Sequence, residues 1–266
     1  MSDLHVPKDL LVYHHSPGRR LLELAVIAKV APLPGILNSI TDLIVKANMR
    51  IIGVSLSSEG DKRNILMFLD SIEATISPQE LLEKVKSLAT VVNAEIYESP
   101  SPSFIIDAYG YPVTIASGTE RAVIFSVKWI STAFKLFIDK LGSAGAALLF
   151  HLGFMMGLNF GKSIKNMVET VDEYLEVVRL LFQANGFGLV KLEKHIFPSS
   201  ITLNIRVTDN FEVEAHEGVS KEPVCHFTRG LIAGILKAFF GKDFDVVETR
   251  CKAMGHEECV FKAFLK

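Results

Sequence analysis

The chain of 266 residues is poor in cysteine, with three, poorer in tryptophan, with one, and carries no surplus of charge. Its 28 Lys and Arg against 30 Asp and Glu leave −2, which excludes a bulk basic field for nucleic acid or an anionic membrane. Three cysteines are too few, and odd in number, for a disulfide framework; in a reducing compartment they stay thiols. All three fall between Cys225 and Cys259, so they point to a local site. Also missing from the strand-to-helix positions are a phosphate loop, a dinucleotide fingerprint and a nucleophile elbow. The run Gly157-Leu158-Asn159-Phe160-Gly161-Lys162-Ser163 ends like a phosphate loop, but its earlier spacing and apolar setting are wrong for one. The expectation is a protein without enzymatic activity.

No secretory leader is read at the N-terminus, where Asp3, His5, Lys8 and Asp9 interrupt any apolar core. The longest apolar run, Ala144–Leu158, falls short of the roughly 20 residues of a membrane span and contains His151. The reading is therefore a cytoplasmic protein with a buried apolar helix. What the chain has in quantity is core-forming material: 49% hydrophobic residues, and 18 Phe against 5 Tyr. That composition suits a dry core or an apolar ligand pocket equally.

Apolar periodicity divides the chain. Leu21–Val30 reads as a strand closed by Ala31-Pro32-Leu33-Pro34-Gly35. A helix bearing Ile36, Ile40, Leu43, Ile44 and Ala47 follows. Arg50–Ser57 and Asn64–Leu69 read as strands joined across Ser58-Glu59-Gly60-Asp61. Ser77-Pro78-Gln79-Glu80 has the signature of a capped helix start, and Val91–Tyr97 supplies a final strand. The order βαββαβ is the ferredoxin-like arrangement. With its Pro-Leu-Pro-Gly loop, this segment resembles an ACT domain. The resemblance implies an amino-acid effector at that loop, at Pro34 and Gly35.

Glu98-Ser99-Pro100-Ser101-Pro102-Ser103 reads as a linker. The expected organisation is an N-terminal extension over 1–20, an ACT-like domain over 21–98, a Ser/Pro linker over 99–107 and a second domain over 108–266. In the second domain, helices are expected over Arg121–Leu141, Ala144–Phe160, Val168–Asn185 and about Pro223–Phe240. Strands are expected over Gly188–His195, Ser200–Val207, Glu212–His216, Phe244–Lys252 and Glu258–Phe264. Gly153, Gly157 and Gly161 line one helix face, and Gly230 and Gly234 repeat the spacing, favouring close helix packing inside the domain. Trp129, in a helical stripe, reads as ordinary packing, and His151 as a core histidine.

Cys251 and Cys259 each lie four residues from Gly255, so a hairpin about that glycine sets them opposite one another. Such a pair can share a metal or form a disulfide. Cys225, placed by Pro223 near a helix start, would have its thiolate favoured there. Glu248 can supply a fourth ligand if a bulge separates it from Cys251, since residues three apart on a regular strand face opposite ways. His226 and His256 are rivals on spacing alone.

The run from Val246 through Cys251-Lys252-Ala253-Met254-Gly255-His256-Glu257-Glu258-Cys259 to Phe261 resembles the four-vinyl reductase domain. That family includes sensory domains of aromatic-responsive transcription activators, with a fold similar to transport-particle subunits of membrane trafficking. Cys225, Glu248, Cys251 and Cys259 match its three-cysteine, one-glutamate zinc site at intervals of 23, 3 and 8 residues. Helices from about Tyr109, including Leu148–Gly153 and Gly157, resemble its N-terminal half. With four protein ligands the implied zinc is structural. Its negative surplus calls for cations, with Arg250, Lys252 and Lys262 close in sequence. The histidine and tryptophan that fix the hydroxyl in the phenol sensors have no match here, so phenol specificity is not carried over. A pocket is expected at Ile201–Val207, including Asn204, and on the helix face of Phe227, Leu231 and Ile235.

The fold class expected is α+β: a ferredoxin-like ACT-like domain followed by a mixed α/β four-vinyl reductase domain. The function expected is a sensor for a small apolar or aromatic ligand, with an amino acid as second effector. It is a homodimer by resemblance and acts through a partner protein rather than through nucleic acid. The rival readings are a carrier of a hydrophobic, tetrapyrrole-like compound and a dimeric interaction scaffold.

Overall fold

The computed structural model describes residues 5–29, 33–197, 200–216 and 220–266. They form two compact units, Met1–Val123 and Ile124–Lys266.

The N-terminal unit contains β1 (Tyr13–His15), β2 (Leu21–Lys29), α1 (Leu33–Lys46), β3 (Arg50–Glu59), β4 (Lys62–Asp70), α2 (Pro78–Lys86), β5 (Val91–Glu98), β6 (Phe104–Ile106), β7 (Thr114–Ile115) and β8 (Glu120–Arg121). The main sheet is antiparallel in the order β3-β4-β2-β5. Alternation along β2 sends Leu22, Leu24, Val26 and Ala28 to one face. There they join Ile65, Met67 and Leu69 of β4, Ile36, Ile40 and Ile44 of α1, and Leu81, Leu82 and Val85 of α2. Fully burying each such aliphatic side chain contributes about 1.5–3 kcal/mol. Glu59 and Lys62 close the β3–β4 hairpin around Gly60, whose φ of 56° suits glycine. Ser77 caps α2 as its spacing predicts: Ser77 Oγ accepts the Glu80 N–H at 3.1 Å, and Glu80 Oε2 accepts the Ser77 N–H at 2.9 Å.

Two expectations change. The 99–107 stretch is no free linker: within it β6 pairs antiparallel with β1, and Ile105 is buried with Leu21 and Phe68 on the second face of the sheet. The apolar triplet Phe104-Ile105-Ile106 explains this, since it gives the extended chain a surface to bury. The compact unit accordingly runs to Val123. The effector loop also differs, for Pro34 and Gly35 belong to the first turn of α1, where proline needs no backbone donor. Val30, Ala31 and Pro32 of that loop lie outside the described residues.

The C-terminal unit contains α3 (Val127–Leu141), α4 (Ser143–Lys165), α5 (Val171–Ala184), β9 (Leu189–Phe197), β10 (Ser200–Thr208), α6 (His226–Phe240), β11 (Phe244–Arg250) and β12 (Cys259–Leu265). Its sheet is antiparallel in the order β11-β12-β10-β9. Helices α4 and α6 meet through their glycines. A Cβ at Gly157 would strike the Leu231 carbonyl, one at Gly153 the Phe227 carbonyl, and ones at Gly230 and Gly234 the backbone of Phe150 and Phe154. The glycine spacing thus serves packing within this unit. Tyr174, from α5, is fully buried beside them and donates its hydroxyl to the Ile235 carbonyl at 2.8 Å.

Helix α4 is less enclosed than its composition predicts. Its 23 residues are long and apolar enough to cross a membrane by length and composition. Its glycine line is buried, yet Leu148, Leu152, Met155 and Met156 are each about half exposed. Trp129 of α3, expected in packing, is 67% exposed. Residues 212–216, expected as a strand, instead form a 3-10 turn over Phe211–Val213 and the bend after it.

Candidate metal centre and apolar cavity

Three elements deliver the cysteines. Cys225 is the N-cap of α6, one residue before the helix, which starts at His226 and not at Pro223. Cys251 directly follows β11, and Cys259 opens β12 across a 3-10 turn (Lys252–Met254) closed by Gly255 at φ 87°. The register of β11 against β12 shifts between Glu248 and Arg250. That is the bulge which the three-residue separation of Glu248 and Cys251 demands, and it turns both side chains inward.

Ligating atoms of Cys225, Glu248, Cys251 and Cys259 all lie within 4.8 Å of one another, and all four residues are buried. Among the described residues neither His226 nor His256 joins this group. Cys225 Sγ stands 3.8 Å from Cys251 Sγ and 3.6 Å from Cys259 Sγ. Ligands about 2.3 Å from a tetrahedral zinc are about 3.8 Å apart, so these separations suit a shared ion. One oxygen of Glu248 accepts the Cys225 N–H at 3.0 Å, while Oε1 is buried with no partner. An orphaned carboxylate oxygen among three thiols is a donor set that fits a thiophilic dication.

The electrostatics agree. Burial pushes the Cys225 thiol well up. Burial, and then the charge at Cys251, pushes Glu248 up to about 8. Hydrogen bonds from Cys225 and Cys259 pull Cys251 down. Four acids gathered without water cannot all ionise unless a cation compensates. Backbone N–H groups supply part of that compensation: Val224 to Cys251, Lys252 to Cys259 and Cys225 to Glu248. The expected role for cationic side chains is not seen in Lys252, whose ammonium turns to Asp209 at 3.6 Å.

Glu212, missed by sequence reasoning, organises the approach to this cluster. Its fully buried carboxylate accepts the Phe227 and Thr228 N–H groups, each at 2.8 Å, at the start of α6. Cys225 offers no side-chain cap there, so Glu212 does, aided by the helix field; burial nevertheless pushes it up to about 7. Asn210 Oδ1 accepts from the Glu212 N–H and from the Thr228 hydroxyl. The available signal is Asn210, a residue type favoured at caps.

A separate cavity of about 30 Å³ lies between α5, α6, β9 and β10, lined by Leu175, Val178, Arg179, Phe182, Val190, Leu192, Ile205, Val207, Ile232, Ile235 and Leu236. Of the four predicted pocket residues only Ile235 lines it. Phe227 and Leu231 are buried away from it, Phe227 against Phe134 and Phe211 and Leu231 against Gly157. Asn204 alternates with Leu203 and Ile205 on β10, so it points to the other sheet face and donates to Glu193 at 3.2 Å. Arg179 is the one charged lining residue, held at 2.7 and 2.8 Å by Glu176.

A family model for the four-vinyl reductase domain matches residues 203–264, which include all four members of the cluster. An uncharacterized protein of Methanocaldococcus jannaschii is 33% identical over 103 residues, 38% of this chain and 40% of its own length. Another from the same organism is 30% identical over 82 residues, 31% of this chain and 50% of its own length. The chain thus spans half or less of these two curated relatives. The phenol-responsive sensory domain of the transcription activator PoxR, solved with phenol, superposes with a TM-score of 0.52 at 23% identity, covering 56% of this chain and 79% of that one. The chain therefore carries a match to the four-vinyl reductase domain over residues 203–264, in a fold similar to that of the sensory domain.

Proposed function

We propose that this chain is a non-enzymatic small-molecule sensor whose C-terminal unit is held together by a structural zinc and admits an apolar or aromatic ligand between α5, α6 and the sheet. The observation that carries the reading is the cavity: ten of its eleven lining residues are apolar. A hydroxyl or amide buried against such walls would go unsatisfied, so the site selects molecules with little polar surface. Zinc would be bound by Cys225, Glu248, Cys251 and Cys259. It would fix the start of α6 to the β11–β12 turn, and so the position of one cavity wall. The phenol bound by the PoxR sensory domain supports the ligand class and not its identity.

The N-terminal unit is proposed to be an ACT-like module in the ferredoxin-like arrangement, with an amino-acid effector. In this proposal the module runs through Val123 instead of ending at 98. The exposed apolar residues Trp129, Leu136, Phe137, Leu148, Leu152 and Met155 support a homodimer, since such side chains are enriched at interface centres. A cytoplasmic setting and output through a partner protein complete the proposal.

At about 30 Å³ the cavity is far below the roughly 150 Å³ that admits benzene, so binding requires α5 to move from α6. That small volume favours one other reading, an interaction scaffold with a filled pocket. A carrier would instead retain its cargo through purification. Hydrogen exchange of the full chain against a panel of small aromatic and aliphatic compounds tests the sensor. Slower exchange in α5, α6, β9 and β10 with at least one compound is expected. Unchanged exchange with every compound at saturating concentration would leave the scaffold standing.

A further inference from the structure

Strand β2 carries one acidic side chain on the sheet face covered by β6. Glu23 is fully buried, and its Oε2 accepts the Ala108 N–H at 2.8 Å. Its Oε1 meets no N–H or hydroxyl donor, and the group hydrogen-bonded to its side chain is another carboxyl, that of Asp107. A hydrogen bond between two carboxyl groups exists only when one of them holds a proton.

Asp107 is itself pinned. Its N–H donates to the Val12 carbonyl at 3.0 Å, and its Oδ1 accepts the N–H groups of Tyr109 at 3.1 Å and Gly110 at 2.5 Å. Any Cβ at residue 110 would collide with this carboxylate, so the turn requires glycine. No basic side chain answers the pair. On β5 the facing groups are Tyr97 and Glu95, with Tyr109 hydrogen-bonded to Glu95; on β4 the neighbour is the apolar Phe68. The nearby arginines are engaged elsewhere: Arg19 and Arg50 with Asp70, and Arg20 with Glu98.

We propose that Glu23 and Asp107 share one proton, and that this proton latches the Asp107–Gly110 turn, on the segment by which the chain leaves the N-terminal unit, to β2. Loss of the proton leaves two negative charges side by side without solvent, and the turn detaches. Burial pushes Glu23 up to about 7 from an ordinary 4.5. A carboxyl raised in the folded state stabilises fully below its unfolded value and loses that contribution as pH rises through the folded one. The latch is therefore complete below 4.5, weakens from there to about 7, and is open above.

The test is hydrogen exchange of the full chain from pH 5 to 8.5, corrected for intrinsic rates, with β4 amides as the internal reference. Protection at Ala108 should fall about tenfold per pH unit between roughly 5 and 7 and then level off, while β4 stays protected. Glu23→Gln and Asp107→Asn each replace the shared proton with an amide donor, and in either variant the slope should vanish. Two variants keep the test alive if one fails to fold. A wild-type profile without slope, or a variant that keeps it, overturns the latch. Protection restored at pH 8 by calcium also overturns it, assigning the pair to a metal cation.

Discussion

Both units set a four-stranded antiparallel sheet against helices, yet they fill the space between differently. The N-terminal core is aliphatic, with Leu, Ile, Val, Ala and Met from four strands and two helices closing without a cavity among those described. The C-terminal core is aromatic: Phe134, Phe211 and Phe227 stack edge to face or tilted, Phe182 and Phe187 extend the set, and glycines let α4 and α6 touch backbone to backbone. Branched aliphatics interdigitate on a sheet, whereas rigid rings leave gaps that few rotamers can fill. The difference teaches that the unit with the cavity is the one that needs an outside staple, and the four-residue cluster stands where α6 meets β11 and β12.

Substitutions sharpen that contrast. Trp129, the single tryptophan, lies in the C-terminal unit, so its fluorescence reports that unit alone. The largest effect belongs to Cys259→Ser: metal content falls, and the stability read from the urea transition of Trp129 drops by more than about 4 kcal/mol, because metal binding is coupled to folding. Amides of β2 and β4 should keep their exchange rates; their loss as well would break the contrast. Phe182→Ala opens the cavity and costs about 3–5 kcal/mol, and benzene should restore part of it by filling the space. Thermal unfolding with and without benzene checks this. Gly157→Val forces α4 from α6 against the Leu231 carbonyl, costing about 3 kcal/mol by the same fluorescence assay. Ser77→Ala, which removes one half of the α2 capping box, costs about 1 kcal/mol. Exchange at Leu81 and Leu82 should rise while the Trp129 transition stays in place.

The sequence made the regular parts of both units readable, because alternation along β2 and the three- and four-residue stripe of α1 are driven by the cores they face. The Ser77 cap and the bulge before Cys251 were legible for local reasons: one is a side-chain pattern, the other a parity constraint on a strand. The glycines of α4 and α6 were legible as close-packing positions. Glu212 was not. The alternation of Glu212, Val213, Glu214 and Ala215 imitates a strand, and only the uncapped start of α6, distant in sequence, explains a carboxylate turned inward. Glu23 was hidden in the same way inside an apolar run, since its partner lies 84 residues on, at Asp107. Asn204 was misplaced because a strand's two faces cannot be told apart until its neighbours are known. The exposed side of α4 was misread because hydropathy records what a helix is made of, not what covers it.

The central claim is that a metal organises the C-terminal unit, and native mass spectrometry of the full chain purified without added metal tests it most directly. The account predicts one zinc per chain in the wild type and none in Cys259→Ser. A wild-type chain that is folded by its Trp129 transition and yet carries no zinc would contradict it.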